Sequence, residues 1–226
     1  MASVSCSGYL RTNTRDQIPV QSTLAEGTEG ELQTDADFTV TAQSVGNYKV
    51  GSTVIGGNLY APNNVSYAYV LRQGVVLGWM LPNVFGVTNK EEQFSAPIQL
   101  RAGDTLRMLA QTASNRTCTL LVKTANGVSR IFTGVPSGAG TTNLLDIQDG
   151  TAIGDVLQGQ TIVMAAAISI DGSKVANSLG SVVIRNASGQ VAGAIPISNP
   201  TKAEPMISSV NIPIALNFTA SIITSS

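Results

Sequence analysis

The sequence contains no histidine. Histidine is the side chain that titrates near neutrality unaided, and it is the commonest metal ligand and general base. Its absence excludes Ser-His-Asp and Cys-His catalysis within the chain, and His-ligated zinc and iron centres with them. There are only two cysteines, Cys6 and Cys118. Far apart in sequence, they form neither a CxxC redox pair nor a thiolate cage. Cys118 reads as a small buried hydrophobe and Cys6 as a thiol near the terminus. Charge is scarce too: charged residues are 12% of 226, about half the roughly 25% of an ordinary globular chain. With 13 basic and 14 acidic residues the net charge is −1. That balance, without a basic cluster, argues against a dedicated nucleic-acid binder.

Long apolar runs and targeting signals are missing as well. The start, Met1-Ala2-Ser3-Val4-Ser5-Cys6-Ser7-Gly8, has no positive n-region and no apolar h-region, so we expect no export signal. No window supplies the ~18 apolar residues of a membrane span; residues 75–81 and 162–168 are core-strand lengths. The uncharged tail from Met206 to Ser226 alternates through Ile212, Ile214, Leu216, Phe218, Ala220 and Ile222, the period of a half-buried strand. Asn-x-Ser/Thr triplets begin at Asn64, Asn115, Asn186 and Asn217. Without an export signal they reflect a Ser/Thr/Asn-rich composition rather than glycosylation.

What is present is strand chemistry. Hydrophobic residues make up 43%, enough for a core in a chain of this length without disulfide staples, and the low net charge argues against disorder. Phe38-Thr39-Val40-Thr41-Ala42 alternates. Residues 67–71 meet the turn Arg72-Gln73-Gly74 and return through Val75 to Trp79. Residues 119–123 reach Asn126-Gly127, the strongest short hairpin signal, and return to Phe132. Residues 181–185 cross Asn186-Ala187-Ser188-Gly189 into residues 191–197. Helical periodicity is limited to one short turn within 141–156. The pattern predicts an all-β chain: an antiparallel two-sheet β-sandwich, jelly-roll-like, over residues 36–226. Residues 1–35 hold Asp16, Glu26, Glu29, Glu31 and Asp35 with few apolar anchors, and predict an extended N-terminal arm.

A repeat underlies this pattern. Gly51-Ser52-Thr53-Val54, Gly103-Asp104-Thr105-Leu106 and Gly159-Gln160-Thr161-Ile162 share the form Gly-x-Thr-aliphatic at intervals of about 50 residues. A strand pair follows each, its first strand ending in Arg72, Lys123 or Arg185. The expected unit is therefore a Gly-initiated turn, a buried strand, a loop and then a hairpin. In it Leu106 and Met108 match Ile162 and Met164, while Arg107 and Val163 differ in exposure.

Candidate chemistry is thin. Glu26, Glu29, Glu31, Asp35 and Asp37 could offer oxygens to Ca²⁺, but the spacing is not that of an EF-hand. Asp146, Asp149, Gly150 and Asp155 form a second acidic cluster, and Lys90-Glu91-Glu92 a charged loop. Gly51-Ser52-Thr53 and residues 134–140 are Gly-rich without the Lys-Ser/Thr of a phosphate loop, and Ser137 has no base to activate it. Between residues 72 and 130 seven basic residues (Arg72, Lys90, Arg101, Arg107, Arg116, Lys123, Arg130) face three acidic ones (Glu91, Glu92, Asp104), a surplus of four positive charges. Strand alternation divides them between two faces. Trp79 reads as core rather than as a sugar-stacking platform. No residue is assigned a catalytic, cofactor-binding or metal-ligating role, and no cofactor is expected.

A β-sandwich poor in Lys and expected to lack an export signal, with an acidic arm before it and short strands such as residues 97–106, resembles jelly-roll capsid and virion structural proteins. The resemblance is one of overall pattern across the whole chain rather than of a diagnostic motif. It implies a capsid subunit without catalysis, assembled in host cytoplasm from copies of itself and other virion proteins, in weak nonspecific contact with packaged nucleic acid. The alternatives are a virion spike or receptor- or carbohydrate-binding β module, and a surface-layer or adhesin subunit.

Overall fold

The computed structural model describes residues 3–12, 17–25, 29–31, 53–60, 65–80, 91–92, 95, 98–99, 101, 104–110, 117–136, 139–170, 180–197 and 206–224. The chain divides into two compact units, Met1–Thr112 and Ala113–Ser226. Among the described residues both are built from antiparallel strands, with one five-residue helix. The all-β expectation holds.

The first unit contains two sheets. One runs β2 (Gln17–Ala25), β1 (Ser3–Thr12), β4 (Thr53–Tyr60), β7 (Glu91–Glu92), with β8 (Ile98–Gln99) also on β4. The other runs β3 (Glu29–Glu31), β9 (Thr105–Ala110), β5 (Val65–Arg72), β6 (Val75–Met80). The stretch read as an arm thus carries three strands. The reason lies in its register: Val4 pairs with Leu24, Gly8 with Val20 and Leu10 with Ile18, so the few apolar positions of residues 3–25 fall opposite one another. Tyr69, Val70, Trp79, Ile98 and Leu106 are buried in this unit. Gly78 lets the two sheets approach, since a Cβ there would stand 2.8 Å from Ile98 Cδ1.

The second unit is a single eight-stranded sheet, ordered β15 (Val191–Ile197), β14 (Gly180–Arg185), β17 (Thr219–Thr224), β12 (Gly140–Asp146), β11 (Ser129–Gly134), β10 (Thr117–Thr124), β13 (Thr161–Ile170), β16 (Met206–Pro213). Strands β10, β11 and β12 follow one another and β13 returns beside β10, a Greek key. The sheet curls into a nearly closed barrel: all eight strands contribute to one buried cluster, and the end strands meet where Ile212 of β16 packs over Gly193 of β15. Helix α1 (Ile153–Leu157) plugs one end with Ile153 and Leu157. Gly127 and Gly189 turn the hairpins with φ of +80° and +78°, a conformation glycine adopts without a Cβ penalty. One curled sheet, rather than two flat ones, is the coarse architecture of this unit.

The repeat exists in a different phase from the expected one. Each Gly-x-Thr strand pairs with the hairpin before it, not with the one after it. Strand β9 lies beside β5 of the β5–β6 hairpin, and β13 beside β10 of the β10–β11 hairpin. Strand β4, opened by Thr53, returns in the same way beside β1 of the β1–β2 hairpin. A fourth case is β17 beside β14 of the β14–β15 hairpin. It opens with Asn217-Phe218-Thr219, and Asn217 takes the left-handed conformation (φ 64°) that Gly159 (φ 76°) takes before β13. In every case the start of the returning strand faces the end of the hairpin's first strand: Val54 faces Thr12, Thr105 faces Leu71, Ile162 faces Thr124 and Thr219 faces Arg185. Each unit therefore contains two such three-stranded motifs beside further strands, and residues 3–25 hold the first hairpin of the series. Leu106 and Ile162 are both buried, as matching positions should be. Met164, Arg107 and Val163 are all half-buried, and the side chain of Met108 lies outside those described.

Candidate functional site

The most unusual polar chemistry lies at the plugged end of the second unit's barrel. Residues directly opposite in an antiparallel ladder project to the same face. Arg130 of β11 faces Val122 and Asp146 of β12 faces Phe132, and both partners belong to the core. Arg130 and Asp146 are thus directed inward where the barrel ends, and the turn after β12 closes over them. That turn is built on its own side chains. Asp146 Oδ1 accepts from the Gln148 backbone N–H at 2.9 Å. Asp149 Oδ1 accepts from Thr151 N–H at 2.9 Å and from Thr151 Oγ1 at 2.6 Å. The Asp146 N–H donates to Thr151 O at 2.8 Å and the Gly150 N–H to Asp146 O at 2.9 Å. Two residues beyond Thr151, α1 begins.

Arg130 Nη1 donates to Gln148 Oε1 at 3.1 Å and stands 3.7 Å from Asp146 Oδ2. The Asp146 side chain is fully buried, while that of Arg130 keeps 21% of its surface. Asp146 Oδ2, Arg130 Nε and Gln148 Nε2 are buried without a hydrogen bond, which is uncommon for polar atoms in a protein interior. Burial pushes the Asp146 carboxyl above its usual range, against the opposing pull of the Gln148 N–H and the Arg130 charge. Asp149 next to it is exposed, and the two bonds from Thr151 hold its carboxyl below the usual range.

In the first unit Arg72 and Asp104 form a two-pronged ion pair. Arg72 Nε donates to Asp104 Oδ1 and Nη2 to Oδ2, each at 2.7 Å, and Nη2 also reaches Gln99 O at 2.7 Å. The Arg101 N–H donates to Asp104 Oδ2 at 2.8 Å. The pair ties the end of β5 to the start of the returning strand β9. The hydrogen bond to Asp104 raises the Arg72 pKa above its already high value, so the charge is permanent.

The remaining candidates fall as follows. Cys118 is fully buried and unbridged, and burial pushes its thiol up to about 12. Cys6 lies in β1. Trp79 is buried in β6. Glu29 and Glu31 lie in β3 opposite Leu109 and Arg107, and Glu91 and Glu92 in β7 opposite Asn58 and Gly57. Asn186 Oδ1 accepts from the N–H groups of Ser188 and Gln190, so that side chain shapes its turn. Of the seven basic residues, Arg72 and Arg130 face carboxylates. Lys123, opposite Ser129, lies on the opposite face of the ladder from Arg130, and Arg101 is exposed. Within the second unit Lys123 and Arg130 therefore do not share a face. Glu26, Asp35, Asp37, Gly51, Asn64, Lys90, Gly103, Asn115, Arg116 and Ser137 lie outside the described residues. Among the described residues no group of three or more Cys, Asp or Glu gathers as a metal site would, and no helix is long and apolar enough to cross a membrane. The sequence pointed to Asp146 and Asp149 as acids and to Arg130 as one cation among seven. That they meet around Gln148 depends on the β11–β12 pairing, for which no local signal exists. No protein-family model, no curated protein and no solved structure matches the chain.

Proposed function

We propose that this chain is a structural subunit of a virus particle: a capsid protein with jelly-roll-like β units that performs no catalysis. It assembles with copies of itself and with other virion proteins in host cytoplasm. Its contact with packaged nucleic acid is weak and nonspecific. The observation that carries this reading is the outward face of β15, β14, β17 and β12. Along one row Val191 pairs with Arg185 and Arg185 with Thr219, while Leu145 follows Leu144, the partner of Ala220. Along the next, Ala194, Val183, Ser221 and Asn143 are partners in turn; Ala194 and Asn143 are exposed, while Val183 and Ser221 between them are buried. The two rows carry one charged side chain, Arg185, and its Nη1 is bonded to Gly189 O in its own turn. Val191 and Leu145 are 55% and 40% exposed. Protein interfaces are depleted in Lys, Glu and Asp, and exposed apolar side chains grouped on one face mark contact surfaces. The low charge of the whole chain acts in the same direction, since few like charges oppose association.

Sedimentation velocity over a micromolar to millimolar range tests the reading. The chain should associate, and Asn143→Lys, which adds a charge at an exposed position of the face, should raise the dissociation constant at least tenfold while leaving the fold intact. A wild-type chain that stays monomeric throughout would overturn the reading.

A further inference from the structure

At the plugged end of the barrel one guanidinium has two competing acceptors on the same turn. Arg130 Nη1 bonds the neutral one, Gln148 Oε1 at 3.1 Å, and leaves the carboxylate oxygen Asp146 Oδ2 at 3.7 Å. Asp146 Oδ2, Arg130 Nε and Gln148 Nε2 are then all buried without a partner. An orphaned acceptor in a buried site is costly, and most costly when it carries charge. A proton from solvent placed on Oδ2 turns that acceptor into a donor, neutralises the carboxylate and gives it Gln148 Oε1 as acceptor within the same cluster. The same step removes the carboxylate charge 3.7 Å from Arg130 and makes the guanidinium share Gln148 Oε1 with a second donor, so its hold on the turn weakens. The Arg130 side chain already keeps 21% of its surface, so it has a path to water.

We propose that Asp146 is a proton-operated latch on the barrel plug. Ionised, it holds Arg130 against the turn; protonated, it takes Gln148 for itself, frees Arg130 and lets the turn and α1 rearrange together. The mechanical link is short. The Asp146 N–H is bonded to Thr151 O, the Asp155 and Val156 N–H groups to Ala152 O, and the Gly154 N–H to Phe218 O. Ile153 and Leu157 fill the barrel end. The charged groups around Asp146 are few: Arg130 from β11, which favours the ionised form, and Asp149 from the turn, which opposes it. On its other side β12 pairs with β17, whose sequence TASIIT has no titratable side chain, and Asp155 of α1 is exposed. The direction of the Asp146 shift, upward through burial, brings the transition above ordinary carboxylate titration.

Amide ¹⁵N–¹H spectra of the full chain, followed from pH 8 to pH 3, provide the test. The Gln148, Gly150 and Gly154 signals should titrate together, with a midpoint above the Asp reference of about 3.9. Asp146→Asn should abolish that titration. Should Asp146→Asn fail to fold, Gln148→Leu serves instead: with the competing acceptor gone Arg130 closes on Asp146, and the midpoint should fall. A Gly154 signal that stays flat while Gln148 titrates would reduce the site to local proton binding and overturn the latch. A titration that survives in Asp146→Asn, or a midpoint unmoved by Gln148→Leu, would overturn it equally.

Discussion

Asp104 keeps 1% of its side-chain surface and Arg72 26%, and this asymmetry decides which half of the ion pair matters more to stability. Removing Arg72 strands a buried carboxylate; removing Asp104 leaves a guanidinium that can still reach water. Breaking a buried pair costs about 3–5 kcal/mol, and the partial exposure of Arg72 puts Arg72→Ala near the lower end, about 3 kcal/mol. Asp104→Ala should cost less. Chemical denaturation followed by the fluorescence of Trp79, the sole tryptophan, measures both, and the reverse order would contradict the account. Cys118 gives a second residue-scale prediction. With its thiol pushed up to about 12 by burial, almost none is thiolate at pH 8, and the thiolate is the reactive form. In a Cys6→Ser background the native chain should therefore leave a thiol reagent unreacted, and unfolding should release one reactive group. The residues themselves were legible in the sequence: Asp104 as the middle of a Gly-x-Thr motif, Arg72 as the basic end of a strand, Cys118 as a small hydrophobe. Their partnership was not, because it exists only once β9 returns beside β5.

At the scale of elements, local chemistry was readable and long-range pairing was not. Asn126-Gly127 and the 186–189 turn announced their hairpins because they supply glycines able to adopt positive φ. Which hairpin a Gly-x-Thr strand joins is a choice between neighbours on either side, and alternation alone fits both. The same limit hid the β1–β2 hairpin: Val4, Leu10, Ile18, Val20 and Leu24 are sparse within a polar stretch, and only their register shows them as partners. Deleting residues 1–30 should therefore remove β1, the longest of the strands paired with β4. It should lower or abolish the transition reported by Trp79 while leaving amide protection in β10 and β13 unchanged. An unaltered Trp79 transition would restore the arm. Two glycines give a paired test of packing. A Cβ at Gly154 would stand 2.8 Å from Phe218 O, which is backbone, whereas at Gly193 it would meet the flexible end of Ile212. Gly→Ala inside a helix ordinarily stabilises by about 1 kcal/mol, yet Gly154→Ala should destabilise by about 1–3 kcal/mol through overpacking of the plug. Gly193→Ala should cost less than about 1.5 kcal/mol. Thermal melts of the two variants would show whether that order holds.

For the whole molecule, one motif recurs four times through two all-β units of a chain with little charge and no histidine. The lack of histidine removes histidine-dependent catalysis, and of the four buried polar atoms without a hydrogen bond among the described residues, three lie at a barrel plug. The face of β15, β14, β17 and β12 is where low charge becomes a surface property, and it was unreadable in sequence because its rows are assembled from strands far apart in the chain. Self-assembly is the central claim, and electron microscopy of the purified full-length chain, negatively stained across rising concentration, tests it most directly. The account predicts closed, regular particles or their rings and capsomer-like fragments, lost in Asn143→Lys. A field of uniform single chains at every concentration would contradict it.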